Sequence, residues 1–377
     1  RKVSHMSVQD RIAKIRSLME QRGYDALVLR NNADLRWLTG AARVFDFENA
    51  HTAFITQNDL FFHTDSRYYN TFLEALGSDT PWKFDMDLCG MGSWVVRHAL
   101  QAHVASGTIC VEDTITLAQA SELRRAFEDR SLAPRFAQLH DDIIKLRAVK
   151  DDEEIELMRR AQKVTDEAFT YMCGIIRPGL TEMELRVELD NYMLSHGGDA
   201  LAFDTILASG PNSANPHARP GARMVQEGDF VLMDYGAGLG DYRSDMTRTV
   251  VVGQPSPKQL EIYNTVRRAH EACAAAIRPG VKCREVHELA VKIIAEAGYG
   301  DYFAHGLGHG VGIDIHELPR TSRTTTDVYE PGMVCTVEPG IYLPGWGGVR
   351  LEDYGVVTEE GFEPFTASTH DLIVIDL

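Results

Sequence analysis

The sequence predicts an α+β protein of two domains: an N-terminal α/β domain, followed by a second domain in which one unit is written twice. Three observations carry this expectation. A chain of 377 residues is long for a single core. Up to about residue 140, apolar spacing switches repeatedly between the helix and strand periods. Beyond residue 150 the same order of elements occurs twice, and each copy passes through Ile-Arg-Pro-Gly, at 176–179 and again at 277–280, an offset of 101 residues.

The N-terminal domain is expected over residues 7–140. Ile12, Ile15, Leu18 and Met19 mark a helix by their spacing, and DALVL at 25–29 reads as a strand. TAFIT (52–56) and LFFHT (60–64) flank Gln57-Asn58-Asp59 as a hairpin. GTICVED (107–113) reads as a further strand, and LAQASELRRAFED (117–129) as a helix. No constellation of ligands or nucleophiles occurs in this part, so its expected role is structural or in shaping access to the second domain. Residues 141–150 are expected to be a linker. The leading RKVSHM reads as a vector remnant before a natural start near Met6 or Ser7.

The second domain is expected over 151–377. A long amphipathic helix begins at Asp151, with Ile155, Met158, Ala161, Ala168 and Met172 on one side, and its counterpart begins after Pro257 with Leu260, Tyr263, Val266, Cys273 and Ile277. Each is followed by another helix, EMELRVELDNYML (182–194) and CREVHELAVKIIAEAG (283–298). The repeat continues into strands. EGDFVLMDYG (227–236) aligns with PGMVCTVEPG (331–340) at an offset of 104, which matches Asp234 with Glu338. The return strands SDMTRTVVV (244–252) and LEDYGVVT (351–358) match Asp245 with Glu352. A turn at Leu239–Gly240 would set Asp234 directly opposite Asp245. A turn centred on Gly345, in PGWGG, would set Glu338 opposite Glu352.

The bulk composition excludes several function classes. A net charge of −17 and a pI near 5.3 repel phosphate backbones and anionic membranes. No apolar stretch approaches the ~18–20 residues that span a bilayer, and no secretory leader is evident. The six cysteines form no CxxC pair and read as reduced, packed thiols. A cytoplasmic protein that binds neither nucleic acid nor membrane is the expectation.

Four ionised carboxylates on apolar strands are costly to desolvate unless cations or metal meet them. Arg243, Arg248 and Arg350 could form a structural ion-pair network with them. Two pairs at matching positions of a repeat shift the balance towards metal. HGLGHGVGIDIHELP (305–319) supplies His305, His309 and His316 among four glycines; one of these imidazoles with the carboxylates would suit manganese, iron, cobalt or zinc. Two such ions about 3.5 Å apart can share a water, lower its pKa and polarise a peptide carbonyl, which hydrolyses an amide without Ser or Cys.

With these motifs, the sequence resembles the pita-bread metallopeptidases, which include prolidase, aminopeptidase P and methionine aminopeptidase. The resemblance covers nearly the whole chain and implies a creatinase-like N-terminal domain ahead of a pita-bread catalytic domain. It implies metal ligation by Asp234, Asp245, His309, Glu338 and Glu352, with Asp245 and Glu352 bridging two divalent ions, manganese first and cobalt, zinc or iron as alternatives. Glu338 would also accept the proton of the bridging hydroxide's parent water. His217, in NPHARP, and His316 match two further histidines of the prolidase and aminopeptidase P branch and would serve the substrate. Arg350 matches an arginine beside the last glutamate, and would orient Glu352 or Asp245.

The implied activity is hydrolysis of Xaa-Pro bonds at the amino end of dipeptides or short proline-containing peptides, by a homodimer. Whether the space beyond proline is closed, as in a dipeptidase, or open, as in an aminopeptidase, is left undecided. A metal-dependent lyase or an amidinohydrolase on a small metabolite shares the fold, as does a peptide-binding module without activity, which typically lacks the ligands that this chain retains.

Overall fold

The computed structural model describes residues 6–377, so residues 1–5, all but the last of RKVSHM, lie outside the described residues. The chain divides between Arg147 and Ala148 into two compact units.

The first unit alternates helices with one six-stranded sheet. In chain order it comprises α1 (Val8–Arg22), β1 (Ala26–Leu29), α2 (Asn32–Thr39), β2 (Thr52–Thr56), β3 (Leu60–His63), α3 (Tyr69–Leu76), β4 (Lys83–Asp85), α4 (Met91–Gln101), β5 (Thr108–Val111), α5 (Leu117–Glu128), β6 (Arg135–Gln138) and α6 (Asp142–Ala148). The sheet order is β4-β3-β2-β1-β5-β6, with β2–β3 as the expected antiparallel hairpin and β1, β5 and β6 parallel. Segment 141–150, expected to be a linker, is largely α6. Its Ile143 is buried and its Arg147 pairs with buried Asp34, so packing holds it as helix.

The second unit is built from two copies of one arrangement. The first comprises α7 (Asp152–Ile175), α8 (Glu182–Ser195), β7 (Ala200–Leu201), β8 (Ile206–Ser209), β9 (Phe230–Tyr235), β10 (Ala237–Leu239), β11 (Tyr242–Arg243) and β12 (Met246–Val252). The second comprises α9 (Pro257–Ala276), α10 (Cys283–Glu296), β13 (Gly308–Gly310), β14 (Glu317–Thr321), β15 (Val334–Val337), β16 (Gly340–Leu343), β17 (Gly347–Arg350), β18 (Asp353–Val357), β19 (Phe362–Pro364) and β20 (Val374–Ile375).

Local chemistry starts and stops the helices alike in both copies. Asp151 and Ser256 close capping boxes with Glu154 and Gln259, and Pro257 fills the first turn of α9, where no N–H is needed. Helices α7 and α9 end at Ile175 and Ala276, and the non-helical caps that follow, Ile176 and Ile277, are the first residues of the two Ile-Arg-Pro-Gly strings. Pro178 and Pro279 disfavour the α region for Arg177 and Arg278, the residues before them, so neither helix can continue through its string. Gly179 and Gly280 then take positive φ and donate to the carbonyls of Val225 and Tyr329.

Strand alternation decides which side chains meet the helices. Val231, Met233 and Tyr235 of β9, with Val250 and Val252 of β12, pack on α7 and α8. Cys335 and Val337 of β15 and Val357 of β18 pack on α9 and α10. Asp234, Thr247, Glu338 and Glu352 have the opposite parity and belong to neither of these helix-packed clusters.

One register differs from expectation. Residues 234 and 245 are not directly opposed: Asp234 faces Thr247, and the hairpin turns at Gly240–Asp241, between paired Leu239 and Tyr242. Both turn residues have positive φ, 57° and 71°, as a two-residue hairpin turn of type I′ requires. Asp245 thus lies on the same face as Asp234 but diagonal to it. In the second copy the expected register holds: β15–β18 and β16–β17 share one frame, and Glu338 and Glu352 occupy its matching positions between the two ladders. A bridge between Thr247 and Glu352 joins the sheets of the two copies, which brings both acidic pairs into one row.

Candidate metal centre

The row opens onto a cavity of about 690 Å³ lined by Asp234, Asp245, His309, Glu338 and Glu352, together with His217, His305, His316 and Arg350. Each ligand expected from the sequence is on its wall. Asp234 comes from β9, Asp245 from the break between β11 and β12, His309 from β13, and Glu338 and Glu352 from the ends of the β15–β18 ladder.

The glycines around His309 serve close approach rather than unusual backbone angles. A Cβ on Gly308 would stand 2.2 Å from the Thr336 carbonyl oxygen, and one on Gly310 2.0 Å from that of Leu318. Only glycine lets this strand lie so near its neighbours. The His309 ring is oriented for ligation. Its Nδ1 donates to the Gly310 carbonyl at 2.9 Å, so the Nε2 lone pair faces Asp245 Oδ2 at 3.6 Å and Glu338 Oε1 at 3.5 Å. Donor atoms of Asp245, His309 and Glu352 lie within 4.8 Å of one another.

Charge in the cavity is poorly balanced by protein alone. Burial, then repulsion from Asp234 and Glu338, pushes the Asp245 carboxyl well above the usual range. Burial and the Asp245 charge do the same to Glu352. The Glu338 carboxyl is raised to about 8, chiefly by burial, with the Asp234 charge adding to it and Arg350 opposing. Burial also lowers the His309 imidazole to about 4, which keeps it neutral and able to ligate.

The arginines do not take the place of a metal. Arg248 binds Asp353 at 2.7 Å and four backbone carbonyls, and Arg243 binds the carbonyls of Ile313, Leu201 and Ala202. Arg350 does reach the row, but its partner corrects the expectation of Glu352 or Asp245. Its Nη2 donates to Asp234 Oδ2, its Nε to Thr247 Oγ1 and its Nη1 to the Tyr342 hydroxyl. Direct pairing of Asp234 with Thr247 explains this: β17 lies against that pair, and Arg350 reaches both at once. Asp234 Oδ1 remains buried without a hydrogen-bond partner. An orphaned carboxylate oxygen, three mutually repelling carboxyls and an imidazole lone pair aimed among them form a donor set that fits divalent metal.

The two other expected histidines line the same cavity from separate loops. His217 lies in the segment after β8, and its backbone N–H is held by Asn215 Oδ1 at 3.2 Å. His316 stacks edge-on against His309, with centroids 4.4 Å apart. Its strand is anchored next door, where buried Glu317 accepts from buried Lys150 at 2.9 Å.

Sequence reasoning missed Thr247, Thr336 and Tyr342. Thr247 donates to Glu352 Oε2 at 2.6 Å while accepting from Arg350, and Thr336 binds both the His309 N–H and Glu338. Tyr342 donates to His305 Nε2 and accepts from Arg350. Thr247 and Thr336 each stand two residues from an expected ligand on the same strand face, a signal that period-2 counting contains. Tyr342 offers no comparable local signal.

The fold and this centre define a two-domain metallopeptidase. Residues 156–359 match the profile described as Metallopeptidase family M24 and residues 11–149 that of the Creatinase/Prolidase N-terminal domain; the chain belongs to metallopeptidase family M24. It is 41% identical over 266 residues to a Xaa-Pro dipeptidase of Pyrococcus furiosus, covering 71% of this chain and 75% of that one. Among solved structures, the Xaa-Pro dipeptidase from Bacillus anthracis superposes with a TM-score of 0.90 at 35% identity, covering 98% of this chain and 100% of that one. The X-Pro aminopeptidase from Thermotoga maritima superposes with a TM-score of 0.85 at 30% identity, covering 97% and 100%. No helix among the described residues is long and apolar enough to cross a membrane.

Proposed function

We propose that this protein hydrolyses Xaa-Pro bonds at the amino end of dipeptides or short peptides, with two divalent ions, manganese in the first instance, held by Asp234, Asp245, His309, Glu338 and Glu352. The observation that carries the proposal is the convergence of four carboxylates and one neutral imidazole on a single cavity wall, where Arg350 pairs with Asp234 alone of the four. Both kinds of similar structure, dipeptidase and aminopeptidase, act on bonds to proline by their names, which supports the substrate class.

When bound, a pair of divalent ions lowers the pKa of a shared water and polarises the scissile carbonyl. The remaining work falls to the chain's own groups. Asp245 and Glu352, at the centre of the row, would be the ligands that both ions share. Without ions, burial holds a proton on the Glu338 carboxyl; bound divalent cations would displace it, and Glu338 would then take the water's proton and return it to the leaving nitrogen. His217 and His316 face the substrate from the two loops; burial and the nearby His217 keep the His316 imidazole below its ordinary pKa, so it acts as a neutral donor to developing oxyanion charge. Arg350 and Thr247 fix the Asp234 and Glu352 carboxylates in one orientation. A homodimer in the cytoplasm completes the proposal, the six free cysteines agreeing with a reducing compartment.

The test is hydrolysis of Gly-Pro, of Gly-Pro-Ala and of Gly-Ala by manganese-loaded protein. Cleavage of a proline substrate with Gly-Ala left intact is expected, and the ratio of the first two separates dipeptidase from aminopeptidase. Equal cleavage of Gly-Ala, or none of any peptide with metal bound, would overturn the assignment.

A further inference from the structure

Glu352 and Asp353 are consecutive on one strand and so project to opposite faces. The first faces the cavity, whereas the second faces α9 and the segment between β19 and β20. There Asp353, 3% exposed, meets two imidazoles. His370 Nε2 donates to Asp353 Oδ2 at 2.7 Å, and His270 Nε2, from α9, stands 3.5 Å from the same oxygen. The two rings lie edge to face with centroids 4.6 Å apart, and ligand atoms of all three residues fall within 4.8 Å of one another.

His270 is the group without an explanation. It is 1% exposed, and neither of its ring nitrogens has a hydrogen-bond partner. A neutral imidazole carries both a donor and an acceptor, so burying it unpaired is unfavourable unless something else fills its lone pair. Two ligands of a tetrahedral zinc centre, each 2.0–2.1 Å from the ion, stand roughly 3.3 Å apart. The separation of His270 Nε2 from Asp353 Oδ2 is close to that value. Arg248 does not compete for the oxygen concerned. It binds Oδ1 at 2.7 Å and fixes the carboxylate plane so that Oδ2 faces the imidazoles.

We propose that His270, Asp353 and His370 form a second metal site, separate from the cavity, that takes one zinc-class divalent ion. Two nitrogens and one carboxylate oxygen are a borderline-soft donor set, which favours zinc over magnesium or calcium. Its role is structural. The ion ties α9, β18 and the segment leading to β20 together, beside a link already present where Arg267, one helical turn before His270, binds Asp371 at 2.6 Å. His370 is partly exposed and gives the ion a path from solvent. To admit it, His370 Nε2 must withdraw from Oδ2 by about half an ångström, to the ligand spacing given above.

The test is diffraction from zinc-loaded crystals at wavelengths on either side of the zinc edge, paired with a metal count per chain in solution. An anomalous peak among Asp353 Oδ2, His270 and His370 is expected. The count should fall by about one equivalent in His370→Ala, while cavity metal is retained. Asp245→Ala should lose metal from the cavity and keep this peak, so the two sites fail independently. Absence of the peak at a zinc concentration that fills the cavity, or an unchanged count in His370→Ala, would overturn the proposal. If His370→Ala does not fold, the map of the unaltered protein decides alone.

Discussion

Asp245 is 4% exposed and diagonal to Asp234, with Glu338 and Glu352 as its other acidic neighbours. In the proposed role of shared ligand it cannot be spared. Asp245→Ala is expected to lower kcat/KM for Gly-Pro at least about a hundredfold, since even residues that merely support ligands cost 10–100-fold; near-normal turnover with metal bound would exclude a shared role. His316 calls for a different outcome. His316→Ala is expected to keep its metal count while kcat falls by roughly a hundredfold, within the range for a proton-handling side chain. The four candidate carboxylates were legible in the sequence because each stands at a matched place in a repeat, and His309 because it lies in the histidine-rich, glycine-rich string 305–319 and matches the imidazole that the family resemblance implies. The partner of Arg350 was not, because it depends on a register that only the turn defines.

The β10–β11 hairpin shows how that register is chosen. Placing the turn at Leu239–Gly240 would put a γ-branched residue where φ must be positive; the chain instead uses Gly240 and Asp241, and an Asp tolerates that region. The pairing shifts accordingly and gives Asp234 the Thr247 hydroxyl as its neighbour. Asp241→Val is therefore expected to destabilise the protein by about 1–2 kcal/mol, the cost of a left-handed conformation for a side chain with a branched β-carbon. A urea midpoint equal to the original would contradict this. The helices were more legible than the turn. Asp151, Ser256 and Pro257 announce helix starts by caps and fixed φ, and the two Ile-Arg-Pro-Gly strings announce their ends. The α6 helix escaped notice because it is short and its burial depends on Arg147 meeting Asp34, far away in sequence.

At the scale of the whole molecule, two copies of a helix pair on a hairpin each bury an apolar face and turn an acidic face to the other copy. Without metal, that junction is a liability that grows with pH. The Glu338 carboxyl is raised from 4.5 to about 8 in the folded chain, so the folded state holds its proton more tightly than the unfolded one. The associated stability is fully present below about pH 4.5 and is lost as pH rises through about 8, with a slope of up to ~1.4 kcal/mol per pH unit per such group. Chelator-treated protein is expected to show this fall in Tm between pH 5 and 8, and manganese to remove most of it. A pH-independent Tm in the chelated protein would count against the shared burial of these carboxyls. The duplication itself was plain from offsets of 101 and 104 residues. The Thr247–Glu352 bridge that merges the copies was hidden, because no local pattern encodes which strands meet.

The meeting of the copies around a pair of ions is tested most directly by an anomalous difference map at the manganese edge from manganese-loaded crystals. Two peaks about 3.5 Å apart are expected between the carboxylates, with Asp245 and Glu352 touching both. A single peak, or none, in protein that still cleaves Gly-Pro would show that the acidic row does its work in some other way.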